Sequence, residues 1–297
     1  MHHLEPVLDF YFPVAPFDAV AVGVIDFNGL SFQTLERDKS RSGSCYYYDL
    51  ASMTKVLTNS LSYFLSPDSF TREMLLCLSH RGGLPAWGLL QQRGWEETIL
   101  SYGIKESPTL YSDFSALRVM LEFNRSGTDQ KTLCQTVWDQ EVLNWLDLSS
   151  HLPLLQFGYV GGEPNFGQVH DPNARVIKKY CSHAGLFGTI RGVCQTLINY
   201  QSRTGFITKV KEDLRQHQNR FALGWDRVSD PANTLAGAGC GPFTFGHLGF
   251  TGTSVWIDPD KMLGHVILTN ATRDYWFEKK ELNELRRALG QKIWEQK

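Results

Sequence analysis

Ser52 and Lys55 stand three residues apart in Tyr48-Asp49-Leu50-Ala51-Ser52-Met53-Thr54-Lys55, where a segment of helical periodicity begins. Residues three apart share a helix face, so the serine hydroxyl and the lysine amine can meet without help from distant parts of the chain. A hydroxyl is a weak nucleophile until a neighbouring base takes its proton. A lysine amine can be that base when its surroundings lower its pKa. The octapeptide can therefore hold a nucleophile together with its activator. The same residues also fit a plainer description, a serine capping a helix and a lysine in solvent.

Three other places carry residues of chemical interest. Tyr111-Ser112-Asp113 precedes a helical segment, where Tyr111 can serve as an anchoring aromatic and Asp113 as a cap near the helix start. Gly246-His247-Leu248-Gly249-Phe250-Thr251-Gly252-Thr253 opens a strand, and His170-Asp171 and His183-Ala184-Gly185-Leu186-Phe187 flank a loop. His80, His170, His183 and Asp171 invite a metal reading, but no histidine pair has the i, i+4 spacing of a helical metal site. His170-Asp171 reads instead as a pair that orders a loop. Gly161-Gly162 reads as a loop hinge, because no GxGxxG or P-loop follows a strand. No metal and no cofactor are expected.

The elements that must position these groups follow from hydrophobic patterning. Ala19 to Arg37 reads as a hairpin around Asp26-Phe27-Asn28-Gly29. From Ser52, residues Met53, Val56, Leu57, Leu61 and Phe64 recur at helical spacing up to Pro67. Helices are predicted over Arg72 to Ser79, Ser112 to Phe123, Gln130 to Trp145 and His183 to Ser202, with Gly158 to Pro172 as loop. Strands resume at Thr244 to Phe250, Thr253 to Ile257 and Gly264 to Thr269, with a turn at Asp258-Pro259-Asp260-Lys261. The chain closes with an amphipathic helix from Phe277 to Glu295, its stripe formed by Leu282, Leu285, Leu289 and Ile293. The pairs Lys279-Lys280 and Arg286-Arg287 read as its solvated face. This order predicts an α+β fold, an antiparallel sheet built from both chain ends, flanked by N- and C-terminal helices, with a helical insertion. Residues 1–66 and 203–297 would form the sheet part and 67–202 the helical part, with the site between them.

Composition narrows the class. The chain has 297 residues and a formal net charge of -2, which gives no pull toward nucleic acid or acidic membrane surfaces. No apolar run reaches membrane-spanning length. The six cysteines, Cys45, Cys77, Cys134, Cys181, Cys194 and Cys240, include no CxxC pair and are irregularly spaced. The N-terminus Met1-His2-His3-Leu4-Glu5-Pro6 has no basic region ahead of an apolar run, so no signal peptide is expected. The expectation is a cytoplasmic protein with free thiols, or a periplasmic one if a leader has been removed.

Taken in order, Ser52-x-x-Lys55, Tyr111-Ser112-Asp113 and His247-Leu248-Gly249 resemble the serine β-lactamase and penicillin-binding-protein superfamily. The likeness is to the branch of class C β-lactamases, D-alanyl-D-alanine carboxypeptidases and esterases. Leu78-Ser79-His80-Arg81-Gly82-Gly83-Leu84-Pro85 is similar to that family's L-S-H-x-x-G-L-P segment, and the likeness covers nearly the whole chain. The resemblance implies Ser52 as acylated nucleophile, Lys55 as proton acceptor or electrostatic aid, and Tyr111 as acid and base toward the leaving group. It places His247 against substrate or Tyr111, the amides of Ser52 and Phe250 as oxyanion hole, and Gly249 and Thr251 at the substrate. Two positions depart from the family pattern. Asp113 replaces an asparagine and should favour the charged form of Lys55; Leu248 replaces a hydroxyl residue and removes a hydrogen bond to a β-lactam carboxylate. The implied function is acyl-enzyme hydrolysis of an amide or ester, with a peptidoglycan-derived peptide or muropeptide as substrate, or a simple ester. A β-lactamase or periplasmic D,D-carboxypeptidase is the alternative within the enzymes, and a catalytically silent peptide-binding member the alternative outside them. The implied partner is a small molecule or short peptide such as a cell-wall fragment.

Overall fold

The computed structural model describes residues 1–40, 43, 45–160, 162–273 and 279–296. Its main sheet takes strands from both ends of the chain, and the fold is α+β, as the order of elements predicts. Ala19–Asp26 and Ser31–Asp38 form the hairpin, and Asp26 Oδ1 accepts the turn amides of Asn28 at 3.0 Å and Gly29 at 3.2 Å. Beyond Ala19–Asp26 the sheet continues through Leu263–Thr269, Ser254–Asp258, Phe245–Leu248, Trp225–Arg227 and Phe221–Ala222, every neighbour antiparallel.

Both faces of this sheet are covered. Along Ala19–Asp26, Ala19, Ala21 and Ile25 enter one core and Val20 and Val22 another, the two-residue alternation of a strand. The first core includes Val193, Cys194 and Leu197 of the helix Ile190–Thr204. Gly23 lets that helix approach, since a Cβ there would lie 2.3 Å from Cys194 Sγ. The second core sits under the helices Glu5–Tyr11 and Lys280–Trp294. Leu282, Leu285, Leu289 and Ile293 are all buried in it, each contributing about 1.5–3 kcal/mol by leaving water. A third core joins Arg72–Leu78, Trp95–Ser101 and Asp113–Arg125 through Met74, Trp95, Phe114 and Leu117.

Several boundaries differ from the sequence expectation. The predicted helix from Gln130 to Trp145 stops at Gln135, and Val142–Asn144 becomes a strand of a second sheet, ordered Tyr48–Asp49, Leu186–Gly188, Val142–Asn144. For the same reason the helix predicted from His183 begins only at Ile190, where the Thr189 side chain accepts the Gly192 amide at 3.0 Å. Both errors come from strand pairings more than forty residues apart, which local periodicity cannot register. The loop predicted over Gly158 to Pro172 holds a short hairpin, Tyr159–Val160 with Glu163–Pro164, and Pro172 opens the helix Pro172–Ile177. Helix Phe206–Gln216 is a further addition. Gly161 and Phe277 lie outside the described residues. Among the described residues no helix is long and apolar enough to cross a membrane, and the six cysteines are free.

Candidate active site

The second sheet exists to deliver Ser52. Tyr48–Asp49 ends it, and the Leu50 amide donates to Leu186 O at 2.9 Å. Ala51 then turns with φ +46°, in the left-handed region that non-glycine residues rarely enter. Ser52 follows with helical φ and makes no side-chain capping bond, so the plain capping description does not apply. The helix runs through Met53–Lys55, loosens to a π-helical turn at Val56–Ser60, and resumes at Leu61–Leu65.

Lys55 is almost fully buried, at 4% exposure, not solvated. Its Nζ donates to Ser52 Oγ at 2.9 Å and to the His183 carbonyl at 2.8 Å, and pairs with Asp113 Oδ1 at 2.7 Å. An ammonium has three N–H donors, and three acceptors surround this one. Burial works to lower the Lys55 pKa, but the Asp113 carboxylate and Tyr111 outweigh it and hold the amine above its ordinary value. In this state Lys55 is a charged donor without a lone pair. Asp113→Asn should therefore move the alkaline limb of serine acylation, where Lys55 loses its proton, to lower pH by about one unit or more. A labelling-rate profile of the variant checks this, and an unmoved limb would mean that Asp113 acts only on structure.

Tyr111 is sandwiched by aromatic rings, its centroid 4.7 Å from His80, 5.8 Å from Phe221 and 5.9 Å from His247. Lys55 Nζ lies 5.1 Å from that ring. The Tyr111 hydroxyl is buried and lacks a hydrogen bond of good geometry. Burial raises its pKa, while Lys55 and Ser52 lie close enough to oppose the rise. The Leu78-to-Pro85 segment holds this part of the site in place. His80 Nδ1 accepts the Ser112 amide at 3.1 Å, Ser112 Oγ donates to Pro85 O at 2.6 Å, and the Asp113 amide donates to Ala86 O at 2.8 Å.

His247, on strand Phe245–Leu248, has its Nδ1 2.9 Å from Leu248 O. A carbonyl only accepts, so Nδ1 carries the proton and the buried, unpartnered Nε2 presents a lone pair. Burial, then Lys55, pushes the His247 pKa down to about 3, and the ring is neutral. Gly249 follows where only glycine fits: a Cβ would stand 1.9 Å from Thr253 Oγ1 and 2.7 Å from Leu50 O. Thr251 is fully buried and its hydroxyl donates to Asp49 O at 2.6 Å, so it braces the turn that precedes Ser52.

A cavity of about 390 Å³ opens on Ser52, lined also by Tyr111, His247, Phe250, Lys279 and Arg286. Arg286 corrects the reading of its helix face as solvated: it is 4% exposed and its guanidinium donates to Thr253 O at 2.7 Å and Asn283 Oδ1 at 3.2 Å. Burial pushes its pKa down to about 9, which still leaves it charged at neutral pH. The sequence held the clue, because position 286 falls between Leu282, Leu285 and Leu289 on the buried stripe. Lys280 and Arg287 are exposed as expected.

Behind Lys55 lies a second buried pair. His183 Nε2 and Asp171 Oδ1 are 2.8 Å apart, and Asp171 also caps Pro172–Ile177 by accepting the Ala174 amide at 2.8 Å. Burial opposes both charges, but each partner favours the other's: Asp171 is held well below the usual carboxylate range and His183 is pushed up to about 10. The four side chains Lys55, Asp113, His183 and Asp171 then alternate in sign and sum to zero. Asp171 does order the loop, as the sequence suggested, through a partner twelve residues away. Among the described residues no cluster of histidine, cysteine, aspartate and glutamate could hold a metal ion.

This fold is the β-lactamase fold. A class C β-lactamase from Rhodobacter sphaeroides superposes with TM-score 0.68 at 14% identity, over 96% of this chain and 98% of that one. A β-lactamase/D-alanine carboxypeptidase from Pseudomonas syringae superposes with TM-score 0.66 at 12% identity, over 99% and 98%. In sequence, residues 144–289 match the family model described as Beta-lactamase. A protein of Escherichia coli O157:H7, provisionally named a D-alanyl-D-alanine carboxypeptidase, is 34% identical over 134 residues, 39% of this chain and 30% of that protein. The match thus spans less than a third of that relative's length. The chain therefore has the β-lactamase fold, and residues 144–289 carry the likeness to the Beta-lactamase family in sequence.

Proposed function

We propose that the protein is a serine hydrolase that forms an acyl-enzyme on Ser52 from amide or ester substrates bearing a carboxylate, with peptidoglycan-derived peptides as the substrate class. The observation that carries this is the Ser52 hydroxyl, 2.9 Å from the Lys55 ammonium, in a cavity also lined by the buried Arg286. Arg286 has five N–H donors, of which protein oxygens take two, and a substrate carboxylate would take two more in a bidentate pair. In the proposed reaction Ser52 Oγ attacks the carbonyl while its proton passes to Tyr111, which hands a proton to the leaving group. A neutral phenol relaying protons suits a site where burial disfavours phenolate. Lys55 supplies charge to the forming alkoxide, and the Ser52 and Phe250 amides receive the oxyanion, worth on the order of 3 kcal/mol per donor. Water then releases the acyl group with Tyr111 acting in reverse.

The test is a hydrolysis panel of D-alanyl-D-alanine peptides, short esters and penicillins, each with its carboxylate free and blocked. Free-carboxylate substrates should win by about 10- to 100-fold in kcat/KM, the scale of a charge-assisted hydrogen-bonded pair. Arg286→Gln should erase the preference mainly through KM. Equal rates on free and blocked substrates would remove the carboxylate from the proposal. No turnover of any member, with no labelling by a fluorophosphonate, would remove the enzyme.

A further inference from the structure

The turn that presents Ser52 is held from behind by a carboxylate that the chemistry above does not use. Asp49 is fully buried. Its Oδ1 accepts the Ala51 amide at 2.8 Å and its Oδ2 accepts the His170 amide at 2.7 Å. The first bond ends on the amide of the left-handed Ala51, the strained residue directly before Ser52. The second ties that turn to the loop ending at His170-Asp171.

The backbone of the same two residues is pinned from a third side. Thr251 Oγ1 donates to Asp49 O at 2.6 Å, and Thr253 Oγ1 donates to Leu50 O at 3.0 Å. Both hydroxyls come from the turn that follows His247-Leu248-Gly249 and contains Phe250. Asp49 and Leu50 are thus the joint where the nucleophile turn, the 165–171 loop and the Phe250 turn meet. The relative placement of the Ser52 and Phe250 amides depends on this joint.

We infer that Asp49 is a positioning residue for Ser52, its ionised carboxylate holding the strained turn so that the Ser52 hydroxyl and amide face a bound carbonyl together. The inference rests on Ser52 being the nucleophile. Burial drives the Asp49 pKa up to about 7; the His170 and Ala51 amides oppose it, Asp171 adds to it and Arg175 opposes it. His170, packed alongside, is neutral, with burial pushing it down to about 4. The carboxylate therefore gains its charge around neutrality. Ionised, it accepts both amides; protonated, one oxygen becomes a donor facing an N–H. In Asp49→Asn the carboxamide would meet the same conflict at every pH, with one accepting oxygen for two donors.

The experiment compares the wild type with Asp49→Asn by the rate of fluorophosphonate labelling of Ser52 from about pH 5 to about pH 9. Alongside, the Asp49 13Cγ resonance of the wild type is titrated together with the Ala51 and Ser52 amides. The wild type should label faster through a midpoint near neutrality. The variant should label about 10- to 100-fold more slowly above that midpoint, the scale of a small misplacement of reacting groups, and with no step there. The Ala51 and Ser52 amides should move with the carboxyl. A variant that labels at the wild-type rate with the wild-type profile overturns the inference. Should the variant not fold, the wild-type titration decides alone, because amides that ignore the Asp49 titration overturn it too. A wild type that never labels overturns the serine-hydrolase reading instead, and the amide titration still judges the role of Asp49.

Discussion

Ser52→Ala should abolish covalent labelling by fluorophosphonates and hydrolysis of every substrate in the panel, while leaving the fold intact. The Ser52 side chain accepts one hydrogen bond, from Lys55, and is not packed in a core, so its removal should cost about 1 kcal/mol or less of stability. Lys55→Gln should slow acylation by about 10²–10⁴-fold, the usual weight of a group that assists proton transfer or charge development. It should also cost stability, because Asp113 and the His183 carbonyl would lose their ammonium. Breaking a buried pair by deleting one partner costs roughly 3–5 kcal/mol, less here because Asp113 is partly exposed. The two variants therefore separate chemistry from structure: the serine variant is inactive and stable, the lysine variant slow and less stable. Labelling rates and urea midpoints, measured together, check this. Persistent labelling of Ser52→Ala would place the nucleophile elsewhere.

That contrast follows from how the site is assembled, and it explains which parts of the molecule are legible in the sequence. The sheet from both chain ends is readable because Val20 and Val22, and Val255 and Ile257, recur at two-residue spacing between turn signals, and the C-terminal stripe because four apolar residues recur every three or four positions. Ser52, Lys55 and Tyr111 are readable because their motifs are short and ordered. Lys55, however, owes one of its three acceptors to the main chain of His183, 128 residues away. No side-chain pattern reveals a carbonyl. The strand Val142–Asn144 is hidden in the same way, since its partner Leu186–Gly188 lies beyond a long insertion. The bond from Thr251 to Asp49 O is hidden too, because motif position says nothing about which acceptor a hydroxyl meets. Arg286 escapes the reading for a different reason: its charge outweighs its place on an apolar stripe.

The largest stability effect should come from the pair behind Lys55. Asp171→Ala removes the partner of a fully buried imidazolium and the cap of Pro172–Ile177. Its cost at neutral pH should be of order 3–5 kcal/mol for the broken pair, with about 1 kcal/mol more for the cap. The pH dependence fixes which part is electrostatic. Asp171 has a depressed pKa in the folded protein, so its contribution is present above the unfolded carboxyl value and is lost as pH falls below it. His183 has a raised pKa, so its contribution is full below the unfolded value of 6.5 and declines as pH rises toward about 10. The stability gap between wild type and Asp171→Ala should therefore be widest between about pH 4 and pH 6.5, and should narrow steadily on the alkaline side. The capping share has no titrating group once Asp171 is ionised and should persist throughout. Urea midpoints at acidic, neutral and alkaline pH measure the gap. A gap of constant width across that range would mean that His183 and Asp171 are joined by a neutral hydrogen bond, and the alternating charge cluster behind Ser52 would reduce to the Lys55–Asp113 pair.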